Sequence, residues 1–146
     1  MDSLNRQSLK RAVLKQEKPK CSKHANKKTT IDGHTFDSRA EARYYMKLKR
    51  MLTAGLIKEF EMQKPFVVHD GFSKNGKKYS PITYKADFFV TYADGEQVVI
   101  DVKGQPKVTA DFAMKFKMFH ARYPYRFIIA RYNYTTKQFV EKETLR

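Results

Sequence analysis

Two β-prone runs, Tyr84-Lys85-Ala86-Asp87-Phe88-Phe89-Val90-Thr91-Tyr92 and Gln97-Val98-Val99-Ile100-Asp101-Val102-Lys103, are separated only by Ala93-Asp94-Gly95-Glu96. So short a connection joins antiparallel neighbours, because parallel strands need a crossover of a dozen or more residues. The Asp94-Gly95 turn therefore sets register as well as direction. Asp87 and Asp101 lie equally far from Asp94, which places them across the ladder from one another. Like charges directly opposite are destabilising, and a divalent cation between them accounts for the pair. Mg²⁺ suits such a site, since it takes hard oxygens from one or two carboxylates together with waters and phosphates.

The second run raises a related question. Val98, Ile100 and Val102 project to one face, while Asp101 and Lys103 project together to the other. Taken alone, Asp101-Val102-Lys103 reads as a salt bridge at a strand end. Beside Asp87 it reads as part of a charged cluster at the end of an apolar strand.

The rest of the chain builds around this meander. Thr30 to Phe36 forms a tight hairpin about Asp32-Gly33. A helix runs from Ser38 to Ala54, opened by Ser38-Arg39-Ala40-Glu41 and closed by Gly55. Glu59 to Val68 reads as a strand, and Asp70 to Ser80, with Asn75-Gly76, as a projecting polar turn. After Pro106, Phe112, Phe116, Phe119 and Tyr123 mark a helix over about Thr109 to Tyr123 that lies on a sheet. Tyr125 to Arg131 then returns as a parallel strand, with one edge strand near Phe139. The order helix, three strands, helix, strand predicts an α/β fold with a mixed central sheet flanked by helices.

The length of 146 residues suits one domain. Eleven Phe and nine Tyr supply its core, and no apolar run is long enough to span a membrane. A single Cys leaves no internal disulfide framework, and no apolar leader marks the N-terminus, so a reducing cytoplasm is the expected setting. The net charge of +15 exceeds what solubility requires and points to a polyanion, with nucleic acid first and an anionic membrane second. Residues 1 to 30 hold nine Lys and Arg against two Asp and Glu. Residues 1–29 therefore read as a flexible basic arm, in which Leu4 to Leu14 suits a short helix, and 30–146 as the folded domain. His24, His34, His69 and His120 are scattered, which offers no zinc finger, and no phosphate-binding glycine loop implies a nucleotide cofactor.

Glu41 has two readings. In Ser38-x-x-Glu41 it completes a capping box by bonding back to the N-cap amide. It also heads the series Glu41, Tyr45, Leu48 and Leu52, which would face the sheet, and an inward carboxylate needs a cation.

Together Glu41, Asp87 and Asp101-Val102-Lys103 resemble the PD-(D/E)XK nuclease superfamily, with an acid on the first helix, an Asp on one strand and Asp/Glu-x-Lys on the next. The αβββαβ restriction-endonuclease-like order is similar over roughly residues 30 to 131. Phe36-Asp37-Ser38-Arg39-Ala40-Glu41-Ala42 and Tyr84-Lys85-Ala86-Asp87-Phe88 look like small phage-encoded members, among them Holliday-junction-resolvase-like endonucleases. Ala86 stands where the family has its name-giving Pro, and Asp101 where Glu is usual. Neither change removes a ligand.

The resemblance implies a Mg²⁺-dependent DNA endonuclease, with Mn²⁺ as a substitute, acting in the bacterial cytoplasm on branched or junction DNA in phage recombination. Asp87, Asp101, the Val102 carbonyl and Glu41 would hold the metal. Lys103 would orient or help deprotonate the attacking water and offset charge on phosphorus, and the expected products are a 5′-phosphate and a 3′-hydroxyl. Gln63 would stand near the metal, or else be an ordinary exposed strand residue. Of Lys115 and Lys117 one would point at the phosphate, with Lys115 the choice, unless both are solvated. Lys77 and Lys78 would grip a backbone from the hairpin tip. A homodimer follows by analogy. The alternatives are a non-catalytic nucleic-acid-binding protein and a transposon- or restriction-type cutter that works with a partner subunit.

Overall fold

The computed structural model describes residues 28–104 and 107–145. Residues 1–27 of the arm, with the Leu4 to Leu14 segment, and Pro106 lie outside them, and the folded domain starts one residue earlier than the expected boundary at 30, because Thr29 is already paired in a hairpin strand. Among the described residues no helix is long and apolar enough to cross a membrane.

The chain opens with a hairpin of β1 (Thr29–Ile31) and β2 (His34–Phe36). Asp32 and Gly33 both take positive φ, as a two-residue hairpin turn requires. Helix α1 (Arg39–Thr53) follows, and the Ser38 hydroxyl accepts the Glu41 N–H at 3.1 Å as its N-cap. It ends in a Schellman motif, where Leu56 N–H donates to Met51 O and Gly55 N–H to Leu52 O around the left-handed Gly55.

Five strands form the central sheet in the order β3 (Ile57–His69), β6 (Ile82–Tyr92), β7 (Gln97–Lys103), β8 (Arg126–Asn133) and β9 (Gln138–Lys142). Only β7 and β8 are parallel, and helix α2 (Ala110–Arg122) makes their crossover. The segment from Asp70 to Ser80 is more ordered than a turn. It forms a separate hairpin of β4 (Phe72–Lys74) and β5 (Lys77–Tyr79), exposed at every position, with Phe72 stacked on Tyr79 at 4.8 Å.

The helices cover opposite faces of the sheet. On one face α1 buries Tyr44, Tyr45 and Leu48 against Phe88, Val90, Ile100 and Ile128. On the other, Phe112 and Phe119 of α2 meet Phe66, Phe89, Phe127 and Ile129. The α2 stripe is as expected, with Phe116 and Tyr123 partly buried at its margins. The α1 stripe needs a correction, because Leu52 is 41% exposed. The last turn of α1 carries it off the sheet, and the buried face is completed by Ala40, Ala42 and Tyr44.

Strands β3 and β6 do something that regular alternation does not allow. Phe60, Met62 and Phe88 pack with the α1 side, whereas Phe66, Tyr84 and Ala86 pack with the α2 side. An uninterrupted strand keeps residues of the same parity on one face, so both strands turn over in between. The pairs Met62↔Phe88 and Lys64↔Ala86 put Gln63 across from Asp87 at that point. Gln63 has φ 55°, a left-handed conformation in the middle of a strand.

Candidate active site

The ladder between β6 and β7 has the register that the Asp94-Gly95 turn requires, running from Thr91↔Gln97 to Phe88↔Ile100. It stops one pair before Asp87 and Asp101. Instead of continuing the ladder, the Asp87 carboxylate accepts the Val102 backbone N–H at 2.7 Å through Oδ2. A side chain has taken a position that a backbone carbonyl would otherwise fill, so the strands part here and a charged group sits at their fork. The sequence reading offered the Val102 carbonyl as a ligand; the contact seen at Val102 is made by its N–H.

Asp101 and Lys103 share the α2 face, as alternation requires. Asp101 is the buried charged residue among the described residues, at 5% exposure. Its Oδ2 accepts a 2.7 Å hydrogen bond from the Tyr84 hydroxyl. Its Oδ1 meets Lys103 Nζ at 2.8 Å as an ion pair, yet no hydrogen-bond donor is aligned on that oxygen. The Lys103 ammonium also lies 3.5 Å from the centroid of the Phe112 ring, which holds it by cation–π attraction.

Glu41 approaches from α1. The Ser38 hydroxyl lies 3.4 Å from its Oε1, so the carboxylate is part of the cap through the hydroxyl of Ser38. It is also half-buried and lines a cleft of about 260 Å³ with Asp87, Gln63, Asp37, His34 and Met62. The inward reading holds together with a cap contact, but that contact is to the Ser38 hydroxyl rather than to the N-cap amide of a capping box. Gln63 directs Nε2 toward Asp87 Oδ1 at 3.5 Å.

Electrostatics couple the three acids. Burial, then the Asp101 carboxylate, then Glu41 push the Asp87 carboxyl up to about 8, against the Val102 hydrogen bond and Lys103. Burial and the neighbouring Asp37 and Asp101 raise Glu41 as well, with Ser38 opposing. Burial beside Asp101 keeps the Tyr84 phenol protonated as a donor. Asp87 and Asp101 thus share the Lys103 ammonium, while Glu41 adds a further negative charge that Lys103 does not offset.

Among the described residues no group of three or more His, Cys, Asp or Glu forms a ready-made cation cage. The donors fit a small hard cation in another way. The Asp101 Oδ1 lone pairs lack an aligned donor, Asp87 is raised by its neighbours, and Mg²⁺ uses few protein ligands and keeps its waters.

Two expected members do not join this cluster. Lys115 is drawn to Asp111 one turn back, at 3.5 Å, and Lys117 is exposed. Both follow from the helix, since flanking Phe116 they lie beside the core stripe rather than on it. Lys77 and Lys78 stand exposed on the β4–β5 hairpin, with Lys77 over the Tyr79 ring at 5.4 Å. Tyr84 went unnoticed in the sequence. Its signal was a tyrosine at an inward strand position, where a phenol needs a partner.

The family model described as protein of unknown function (DUF1064) matches residues 21–137. No curated protein matches the chain. A solved protein, the crystal structure of SSO0001, is similar at a TM-score of 0.41 with 14% identity, over 69% of this chain and 48% of its own. The chain spans about half the length of that protein.

Proposed function

The chain belongs to the DUF1064 family, and we propose that it is a Mg²⁺-dependent DNA endonuclease of the PD-(D/E)XK kind. One observation carries this reading. Glu41 and Asp87 line one cleft beside a strand fork, Asp101 with its paired Lys103 lies on the α2 side of that fork, and burial together with the Asp101 and Glu41 carboxylates raises Asp87. A purely structural sheet gains nothing from that arrangement, and neither does a binding module, whose phosphate ligand the carboxylates would repel.

In this reading Asp87 and Asp101 hold the cation, with Glu41 reaching it from the cleft side. Bound there, Mg²⁺ would polarise the phosphate and acidify a water. The protein's own groups do the rest. Tyr84 fixes the orientation of Asp101 through Oδ2, leaving Oδ1 turned toward Lys103. Lys103, held between Asp101 and Phe112, presents an ammonium that orients the attacking water and offsets charge developing on the phosphoryl oxygens. Gln63 steadies Asp87 from the opposing strand. Hydrolysis leaves a 5′-phosphate and a 3′-hydroxyl. Lys77 and Lys78, on the projecting hairpin, contact the backbone away from the cut.

The test uses supercoiled plasmid with Mg²⁺, wild type beside Asp101→Asn, a change that keeps the shape of the side chain. Nicking by the wild type and its loss in the variant, with DNA binding retained, is the expected result. Equal behaviour of the two proteins would sink the catalytic reading and leave a binding protein. A four-way junction cut faster than linear duplex would extend the reading to branched substrates.

A further inference from the structure

Helix α1 carries a second charge pattern that catalysis does not use. Arg39, Arg43, Lys47 and Arg50 follow at i, i+4, i+8 and i+11, which is one flank of a helix. With Lys137 and the Tyr132 ring they line a groove of about 870 Å³ between α1 and the β8–β9 edge. Among the described residues that line it there is no carboxylate, and it shares no lining residue with the Glu41–Asp87 cleft.

This pattern costs the helix stability. Like charges four residues apart repel, and Arg39 sits in the first turn, at the positive end of the helix dipole. Within the groove Lys47 is paired with Glu141 at 2.8 Å, while Arg43 lies over the Tyr132 ring at 4.8 Å with its guanidinium preset. The remaining cations have no ion-pair partner among the described residues. With Arg39, Arg43, Arg50 and Lys137 along the groove and no carboxylate among its described lining residues, the complementary occupant is a polyanion.

We propose that this groove binds the sugar-phosphate backbone of a nucleic-acid segment lying outside the catalytic cleft. From Arg39 to Arg50 the flank extends roughly 16 Å at 1.5 Å per residue, about the axial rise of five phosphates along one B-form strand. The inference rests on the nuclease reading for the identity of its ligand, but not for its chemistry, because binding here needs neither metal nor cleavage.

The experiment measures anisotropy of a fluorescein-labelled duplex of about 30 base pairs over roughly 50 to 200 mM salt. Asp101→Asn serves as the parent so that DNA stays intact. Arg43→Gln/Arg50→Gln in that background removes two groove charges at exposed positions, and Lys58→Gln/Lys142→Gln removes two charges elsewhere. The groove variant should flatten the slope of log K against log salt by about two and weaken binding about tenfold or more at the lower salt. The control should change the slope by less than one. Equal effects of the two pairs would overturn the groove, and so would a parent that binds no DNA. Intact binding with no Mg²⁺-dependent cleavage by the wild type would instead sink the nuclease reading and leave the groove standing.

Discussion

Gln63 stands across the sheet from Asp87, and at this pair β3 and β6 together pass from the α1 side to the α2 side. The turnover brings Asp87 to the strand fork, where its carboxylate takes the Val102 N–H. The cost falls on Gln63, whose left-handed backbone is worth on the order of 1 kcal/mol of strain for a residue with a Cβ.

Substitution at Gln63 should therefore follow backbone preference more than polarity. Gln63→Gly removes the strain but adds chain entropy, and its stability should stay within about 1 kcal/mol of wild type. Gln63→Val, β-branched at positive φ, should lose about 1–3 kcal/mol. Urea denaturation separates the two, and a valine variant as stable as wild type would mean that the strands do not turn over here.

Tyr84 holds Asp101 by a hydrogen bond to a buried carboxylate. Tyr84→Phe keeps the ring packing against Phe112, Phe119 and Phe127 and removes only the donor. The expected loss is about 1–3 kcal/mol in chemical denaturation, the cost of leaving a buried acceptor unsatisfied. A loss close to zero would show that the hydroxyl does not fix Asp101.

Lys103 separates charge from shape. Lys103→Arg keeps the positive charge beside Asp101 and the Phe112 ring, so the variant should fold with nearly wild-type stability. A planar guanidinium cannot replace a compact ammonium at a developing charge, and plasmid nicking should fall by about 10²–10³-fold. Full activity in Lys103→Arg would leave only an electrostatic role for this residue.

Gly71 anchors the projecting hairpin. A Cβ there would come within 2.9 Å of Tyr79 O and 3.0 Å of Pro81 Cδ. Gly71→Ala should loosen β4–β5 locally, seen as faster proteolysis within residues 72–79, while the main unfolding transition stays in place. Unchanged proteolysis would mean that the base of the hairpin accommodates a methyl group.

The elements that were legible in the sequence are those with local signals. Ser38 and Gly55 delimit α1 through cap chemistry, Asp94-Gly95 carries the β6–β7 register, and the aromatic stripe of α2 has helical spacing. The approach of Asp87 and Asp101 follows from that register, but the fork between them does not. Nor does the turnover at Gln63, for a definite reason. Even-numbered residues of β3 are shielded from Phe60 through Val68 without a break, because a helix waits on either side, so period-two burial is silent about which helix each residue meets. Leu52 was misread because helical spacing continues past the edge of the sheet that α1 covers.

Binding of a divalent cation to the three acids tests the central claim most directly. Mn²⁺, followed by the loss of its free signal in electron paramagnetic resonance, should bind the wild type at one site per chain. Asp87→Asn and Asp101→Asn should each weaken that site at least about tenfold, or roughly 1.4 kcal/mol. Wild type and both variants taking up Mn²⁺ equally would contradict the account.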